Sequence, residues 1–328
     1  MPGVRKAMPA RRKFIIMLSF LIRRIALALT TGFVVLTLVF VVVRILPGDP
    51  AQVILGDMAS EESLTALRQR LGLDRSLPAQ YLDFVGGALS GDWGESMVTG
   101  RPVVTEIMTV LPWTIELTVV SLLLGTAVGV PLGVWAAVNR NRAVDYAVRV
   151  VSLLGLSFPA FVSAVILLLA FAIQLRWFPV ISARSGSVGA WFQSITLPAL
   201  NLGLIMAAYI TRVTRSAMLE VLSEDYVRTA RAKGVPWPAV VRRHALRNAL
   251  LPIITVVGLF LGIQIGNSVL TEIVFNRPGL GKLIVGALNQ RDYTMLQGMM
   301  VIYTLIVVFV NMLTDIAYGL ADPRVKLQ

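Results

Sequence analysis

Few residues in this chain could carry covalent chemistry. It has no cysteine and one histidine, His244, which excludes disulfides, thiolate catalysis and a histidine-rich metal site. Gly281-Lys282 looks like the end of a phosphate-binding loop. That motif requires glycine where Asn276 stands and Ser or Thr where Leu283 stands, so the loop is not one. Gly155-Leu156-Ser157 places a serine in an apolar run, but a serine nucleophile needs a base on a neighbouring element. His244 lies in a basic polar segment instead. Ser157-Phe158-Pro159 reads as a break in a spanning helix, tolerated where neighbours or a cavity satisfy the freed backbone groups.

What remains is polar rather than catalytic. Glu116, Asn201, Gln264, Asn267, Glu272, Asn311 and Asp315 interrupt apolar stretches, where such groups are costly and point to function. Gln264, Asn267, Ser268 and Thr271 recur at helical spacing. Two readings stay open for them, together with Asn201 and Glu272: they line a pathway, or they bond one helix to another. Glu116 and Asp315 lie close enough to the ends of their runs to snorkel or pair locally.

A second group lies outside the apolar runs. Ser223 through Gly234 spells a short polar helix: Ser223 as cap, Glu224 and Asp225 in the first turn, and Arg228, Arg231 and Lys233 toward the other end. Gly234 suits the left-handed terminating position, and Pro236 prevents continuation. Such a helix has no lipid to bury against, so docking on another protein is the expectation.

The elements that position these groups are read from charge placement. Of 328 residues 56% are hydrophobic, and mean hydropathy is +0.76. Six stretches hold no Asp, Glu, Lys or Arg: 25–43, 117–139, 150–175, 185–211, 248–271 and 293–314. Each approaches or exceeds the ~20 residues that cross ~30 Å of hydrocarbon. Six spanning helices follow, near 20–46, 109–138, 147–174, 197–216, 250–275 and 295–320. The apolar run after Arg11, Arg12, Lys13, Arg23 and Arg24 is too long for a signal peptide and lacks a small-residue cleavage site, so it reads as a retained first helix.

The net charge of +12 is explained by topology rather than nucleic acid. With the N-terminus inside, segments 1–24, 139–149, 211–249 and 321–328 hold 20 of the 30 Lys and Arg, which makes both termini cytoplasmic. Segment 1–19 is then a cytoplasmic lead, 47–108 an external loop, 217–249 a cytoplasmic loop within the 109–320 core, and 321–328 a cytoplasmic tail. The external loop is structured: Ser60 caps a helix bearing Leu64, Leu67 and Leu71, and Ser76-Leu77-Pro78 starts another bearing Tyr81, Val85 and Leu89. Trp177, Trp191 and Phe192 of the second external loop read as interface anchors.

Several ordered motifs resemble one family. These are Leu46-Pro47-Gly48-Asp49-Pro50, Leu71-Gly72-Leu73-Asp74, Gly91-Asp92-Trp93-Gly94-Glu95-Ser96, Arg101-Pro102-Val103, Asp225-Tyr226 through Gly234, His244-Ala245-Leu246-Arg247-Asn248-Ala249, Pro278-Gly279-Leu280-Gly281 and Arg291-Asp292-Tyr293. From about Met17 onward the chain is similar to the membrane subunits of binding-protein-dependent ATP-binding-cassette importers, in particular the dipeptide/oligopeptide permease branch, which also serves glutathione, nickel and some sugars. The resemblance implies an all-α, six-helix type I importer permease. Its partners are a second permease, two ATPase subunits that use ATP and magnesium, and an extracytoplasmic binding protein. It implies no cofactor on this chain, no enzymatic role and a bacterial inner-membrane location.

It also makes the 223–234 helix the coupling helix that sits in a groove of the ATPase. Tyr226, Arg228, Thr229, Ala230, Arg231 and Gly234 correspond to that element, with Glu224, Asp225 and Lys233 beside them. The broader importer pattern is Glu-Ala-Ala, three residues, then Gly. Here only Ala230 and Gly234 fit it, a departure that resembles the peptide branch. An ion-coupled secondary transporter is the rival class, expected to carry mid-membrane charges and paired repeats that this chain lacks.

Overall fold

The apolar runs become helices because backbone polar groups in hydrocarbon must be satisfied within their own segment. The computed structural model describes residues 25–27, 29–42, 49–56, 58–70, 72–181 and 187–321, with backbone alone for 50, 53, 54 and 315–321. The expected segment 1–19, the Leu46-Pro47-Gly48 and Leu71 motif residues and most of the 321–328 tail lie outside the described residues, as does the Asp315 side chain. The described chain runs α1 (Ile25–Val42), α2 (Pro50–Leu55), α3 (Glu61–Arg70), α4 (Leu77–Ser90), α5 (Val103–Val138), α6 (Ala143–Ser157), α7 (Ala160–Gln174) and α8 (Val188–Leu222). It continues with α9 (Asp225–Ala232), α10 (Trp237–Val274), α11 (Leu280–Asn289) and α12 (Tyr293–Ala321).

Helices α1, α5, α8, α10 and α12 are each long and apolar enough to cross a membrane. The expected third span is instead a bent pair: α6 and α7 meet at 99° across Phe158-Pro159. The physical reason is the predicted break, since proline removes a backbone donor and the residue before it is pushed out of the helical region. Phe158 is extended, with φ −88° and ψ 129°. Two spans run longer than charge placement suggested, α5 beginning at Val103 and α8 covering Val188–Leu222. Leu280–Asn289, between the expected spans 250–275 and 295–320, forms a further short helix.

The scaffold is the seam between α5 and α8. Ser121, Gly125, Gly129 and Gly133 form a stripe on α5 at four-residue spacing, all buried. It meets Gly203, Met206, Ile210 and Thr214 on α8. A Cβ on Gly125 would lie 2.8 Å from the Met206 side chain, and one on Gly133 would lie 2.5 Å from the Thr214 Cβ. Small residues let the backbones approach this closely, the usual route to tight packing where water supplies no driving force between helices. Thr211 Oγ1 donates to the Gly129 carbonyl across the seam at 3.3 Å.

Two clusters close the ends. At one end Ala137, Met218, Ala245, Ala249 and Ile253 join α5, α8 and α10. This end carries Arg140, Arg142 and the basic 212–247 segment, and is called the basic end below. At the far end Val103, Ile107, Leu280, Tyr293, Met295 and Met299 join α5, α11 and α12. The outward faces are apolar: Leu123, Val151, Leu154 and Leu169 are all exposed. Contiguous apolar surface of this kind is suited to lipid.

The seam yields one prediction. Gly133→Leu drives a branched side chain into Thr214 and the Thr211 carbonyl, and overpacking costs about 1–3 kcal/mol or more where backbone must move. A lowered unfolding midpoint and a broadened size-exclusion peak in detergent are expected. A variant as stable and monodisperse as the parent would show that the seam is not the scaffold.

Candidate functional site

Two polar assemblies stand out, one at each end of α10. At the far end Glu272 is fully buried. Its carboxylate accepts from Thr114 Oγ1 at 2.6 Å, from the Gly281 backbone N–H at 2.7 Å and from Ser268 Oγ at 3.3 Å. Thr114 Oγ1 in turn accepts from the Leu280 N–H at 2.8 Å. Gly281 lies so close to Val269 and the Glu272 carboxylate that a Cβ would clash with both, which accounts for the Pro-Gly-Leu-Gly run at the start of α11. Beside it the buried Arg277 pairs with Glu116, and its guanidinium stacks 4.8 Å from the Trp113 ring centre. Trp191 Nε1 donates to the same Glu116. The expected interface anchor Trp191 is thus a hydrogen-bond donor within the bundle.

Asn201 carries a neighbouring bridge. Its amide nitrogen donates to Thr271 Oγ1 at 3.0 Å and to the Ala160 carbonyl at 3.1 Å, while Ser163 Oγ donates to its amide oxygen at 2.6 Å. The start of α7, just past the proline break, is therefore held by α8 and α10. Of the six residues considered for a pathway, Asn201, Gln264, Ser268, Thr271 and Glu272 are buried within the chain. Asn267 alone is exposed, on a face of α10 with Ile263, Gly266 and Leu270. An α-helix turns about 100° per residue, so residue types recurring at helical spacing still straddle the boundary between a packed face and an open one.

At the basic end α9 lies between α8 and α10. Ser223 is not its cap: the Ser223 hydroxyl donates backward to the Glu220 carbonyl at 2.7 Å, and the cap position is Glu224, whose side chain makes no capping bond. The C-terminal expectation holds in detail. Gly234 has φ +79°. Its N–H bonds the Arg231 carbonyl at 2.9 Å, and the Val235 N–H bonds the Ala230 carbonyl at 3.2 Å. This pair of bonds is the Schellman arrangement, in which the left-handed residue closes the helix and satisfies its last carbonyls.

Glu224, Asp225, Tyr226, Arg228, Thr229, Arg231, Lys233 and Gly234 are exposed, Ala230 is half-buried, and Val227 is 1% exposed. Val227 is the anchor, and every other member of the helix faces outward or sideways. Asn248 Nδ2 donates to the Tyr226 hydroxyl at 2.6 Å, and Arg231 stacks 4.8 Å over Trp237. Both contacts tie α9 to the first turns of α10. There the backbone widens into a π-turn at Val240–Ala245, with Val240 and Ala245 fully buried. The Arg228–Asp225 pair is exposed at both partners and adds little.

Sequence reasoning missed three of these groups. Val227 carried a signal, the lone large apolar residue in a polar helix. The Arg277 partner of Glu116 lies 161 residues away with no local cue. Asp145 was counted as part of a basic loop. It is fully buried and accepts from Arg215 at 2.6 and 2.8 Å and from the Asn141 N–H at 3.0 Å, tying α6 to α8. Among the described residues no group of three or more His, Cys, Asp or Glu could hold a metal ion.

A helical bundle with lipid-suited faces, polar networks at Glu272 and Asn201 that join its helices, and an exposed polar helix between two spans defines a multi-pass membrane subunit built to meet other proteins. Residues 129–327 match the binding-protein-dependent transport system inner membrane component, and residues 17–118 match the N-terminal part of the same kind of membrane component. The chain belongs to this family and is the permease component of an ABC importer, a component that works with an ATPase and a substrate-binding protein.

It is 42% identical over 335 residues to the di/tripeptide transport system permease protein DppB of Pseudomonas aeruginosa (strain UCBPP-PA14), covering 95% of this chain and 100% of the relative. It is 40% identical over 310 residues to the glutathione transport system permease protein GsiC of Escherichia coli (strain K12), covering 94% and 99%. Among solved structures it shares the fold of the MetNI methionine ABC transporter in inward-facing conformations, with TM-score 0.54 and 20% identity over 66% of this chain and 96% of that one.

The far-end network predicts a double-mutant effect. Arg277→Met leaves Glu116 without its buried partner, a loss that typically costs ~3–5 kcal/mol. The single variant should unfold at markedly lower temperature, and adding Glu116→Gln should restore much of the loss. Purely additive losses in the double variant would show that the two residues are not coupled.

Proposed function

We propose that this chain is one of two permease subunits of a bacterial inner-membrane importer for di- or oligopeptides, or a related small solute such as glutathione. Both termini face the cytoplasm, and the pathway forms between this chain and a second permease, a paralogous one. An extracytoplasmic binding protein delivers substrate to the far end, where α2 to α4 and α11 are placed. Two ATPase subunits bind ATP and magnesium at the basic end; this chain binds neither and catalyses no covalent step. The names and identities of DppB and GsiC support the substrate class.

The observation that carries the mechanism is the attachment of α9. Its exposed residues Glu224, Asp225, Tyr226, Arg228, Thr229, Arg231 and Lys233 offer a docking surface, with Ala230 at its edge, and Val227 roots it in the bundle. Because Tyr226 and Arg231 are tied to Asn248 and Trp237 of α10, displacement of α9 by an ATPase moves α10 as a rod. ATP-driven closure of the ATPases would shift α9 and α10 and open the pathway away from the cytoplasm. On this reading Asn267, on the exposed face of α10, faces the pathway, while Asn201, Ser268, Thr271 and Glu272 hold the helices that form it and Gln264 is buried among them.

Two experiments test this. Gly234→Val puts a β-branched residue where φ is +79°, a conformation that costs an L residue roughly 1–2 kcal/mol. In the reconstituted importer, substrate-stimulated ATP hydrolysis should fall several-fold while the complex stays assembled; unchanged stimulation would remove α9 from the coupling role. Asn267→Leu should slow peptide uptake into proteoliposomes without lowering expression or the unfolding midpoint. Uptake equal to the parent would take Asn267 off the pathway.

A further inference from the structure

At the basic end α6 and α8 line a half-open cavity of about 430 Å³. Its lining combines apolar Val150, Leu153 and Leu156 of α6 with three arginines, Arg149, Arg212 and Arg215. Two of these arginines mark the edge of the charge-free runs. Arg149 immediately precedes 150–175, and Arg212 immediately follows 185–211. The cavity therefore straddles the boundary between hydrocarbon and headgroup. Helix length agrees. At ~1.5 Å per residue the 35 residues of α8 span ~52 Å, well beyond the ~30 Å of hydrocarbon, so the turns after Arg212 project past it.

Among the described residues the charges at this cavity do not balance. Arg215 is neutralised by Asp145, and Arg149 reaches the same carboxylate only at 3.8 Å. Arg149 otherwise lies 4.5 Å from the Tyr146 ring centre, and Arg212 lies 5.4 Å from that of Tyr209. Among the described residues no carboxylate pairs with Arg212, which is exposed. Three arginines thus line a cavity with one buried acid, which only Arg215 and Arg149 reach. Residues 1–24, the basic lead of the chain, hold no Asp or Glu and cannot supply the missing charge. What fits is an amphiphile with an anionic head. A phosphodiester would take forked hydrogen bonds from Arg149 and Arg212, and an acyl chain would lie along Val150, Leu153 and Leu156.

We propose that this cavity is a binding site for an anionic phospholipid. Basic pockets between spanning helices on the cytoplasmic side are suited to such headgroups, each arginine near the surface adding to the attraction. A lipid seated there would brace α6, the half of the bent pair nearest the cytoplasm, against α8, the helix that leads into α9.

The test is native mass spectrometry of the importer complex after delipidation in mild detergent, titrated with phosphatidylglycerol, phosphatidylcholine or inorganic phosphate. The complex should retain phosphatidylglycerol about tenfold better than phosphatidylcholine. Arg149→Gln combined with Arg212→Gln should abolish that preference, and the corresponding pair of lysine variants should keep most of it. Phosphatidylglycerol that stays bound against millimolar inorganic phosphate supports a lipid; its complete displacement by phosphate would reduce the site to one for a free anion. Equal retention of the two lipids, or an undiminished preference in the double glutamine variant, would overturn the proposal. Should the double variant fold poorly, Arg212→Gln alone repeats the test at an exposed residue, with loss of preference supporting the site and full preference opposing it.

Discussion

The close approach of α5 and α8 is the constraint on which the rest of the structure depends. Lipid offers no hydrophobic gain for bringing two apolar helices together, so contact must come from packing and shared hydrogen bonds. The Ser121, Gly125, Gly129 and Gly133 stripe supplies that contact along most of the bilayer. Once the two helices are fixed, their ends are fixed too. Thr114 and Glu116 on α5 reach Glu272 and Arg277, and Asn201 on α8 reaches Thr271 and the start of α7. The same geometry brings Arg215 of α8 to Asp145 of α6. The seam puts these polar groups within reach of one another.

The two ends of α10 are built differently. Its far end is held by charge and by hydrogen bonds that reach both oxygens of the Glu272 carboxylate. Such a network has one good geometry, because moving any partner strands a buried polar group. Its basic end meets α5 and α8 through Ala245, Ala249 and Ile253 against Ala137 and Met218, apolar surfaces, and its bond from Asn248 goes to Tyr226 of α9. Packing of that kind tolerates sliding better than a hydrogen-bonded lattice does. In the proposed cycle the basic end is the one that receives the push, and the distribution of interactions along α10 is consistent with a rod clamped at one end and displaced at the other.

Much of this was legible in the sequence, for identifiable reasons. Charge-free runs marked the spans, because a charge in hydrocarbon is costly wherever it falls. Gly234 and Pro236 marked the end of α9, because a left-handed residue there is a local requirement. Ser60 was recognisable as a cap, and its hydroxyl does accept from the Ser63 N–H at 3.2 Å. Ser223 was misread because it has capping chemistry, yet its hydroxyl bonds back to the Glu220 carbonyl and the helix starts one residue later, at an uncapped Glu224. The bend at Phe158-Pro159 was visible as a break, but its 99° angle depends on where Asn201 and Thr271 stand. Pairings such as Glu116 with Arg277 and Asp145 with Arg215 are set by helix packing and leave no trace in spacing. The stripe at Ser121, Gly125, Gly129 and Gly133 could have been read, since small residues every fourth position on a span are a packing signal.

The departure of α9 from the Glu-Ala-Ala pattern can be weighed against this structure. Of that pattern the chain keeps Ala230 and Gly234. Ala230 is half-buried, and its carbonyl accepts the closing bond from Val235; Gly234 is the left-handed residue that makes the closure. The retained positions are therefore those that terminate and seat the helix. The altered ones, Arg228 and Thr229, are exposed and free to match whatever surface a partner presents. Docking in a groove needs a helix of fixed length rooted at one point, which Val227 and the Schellman end provide. In the proposed coupling role, the outer side chains would set which partner surface α9 fits, while the rooted and terminated helix would carry the displacement.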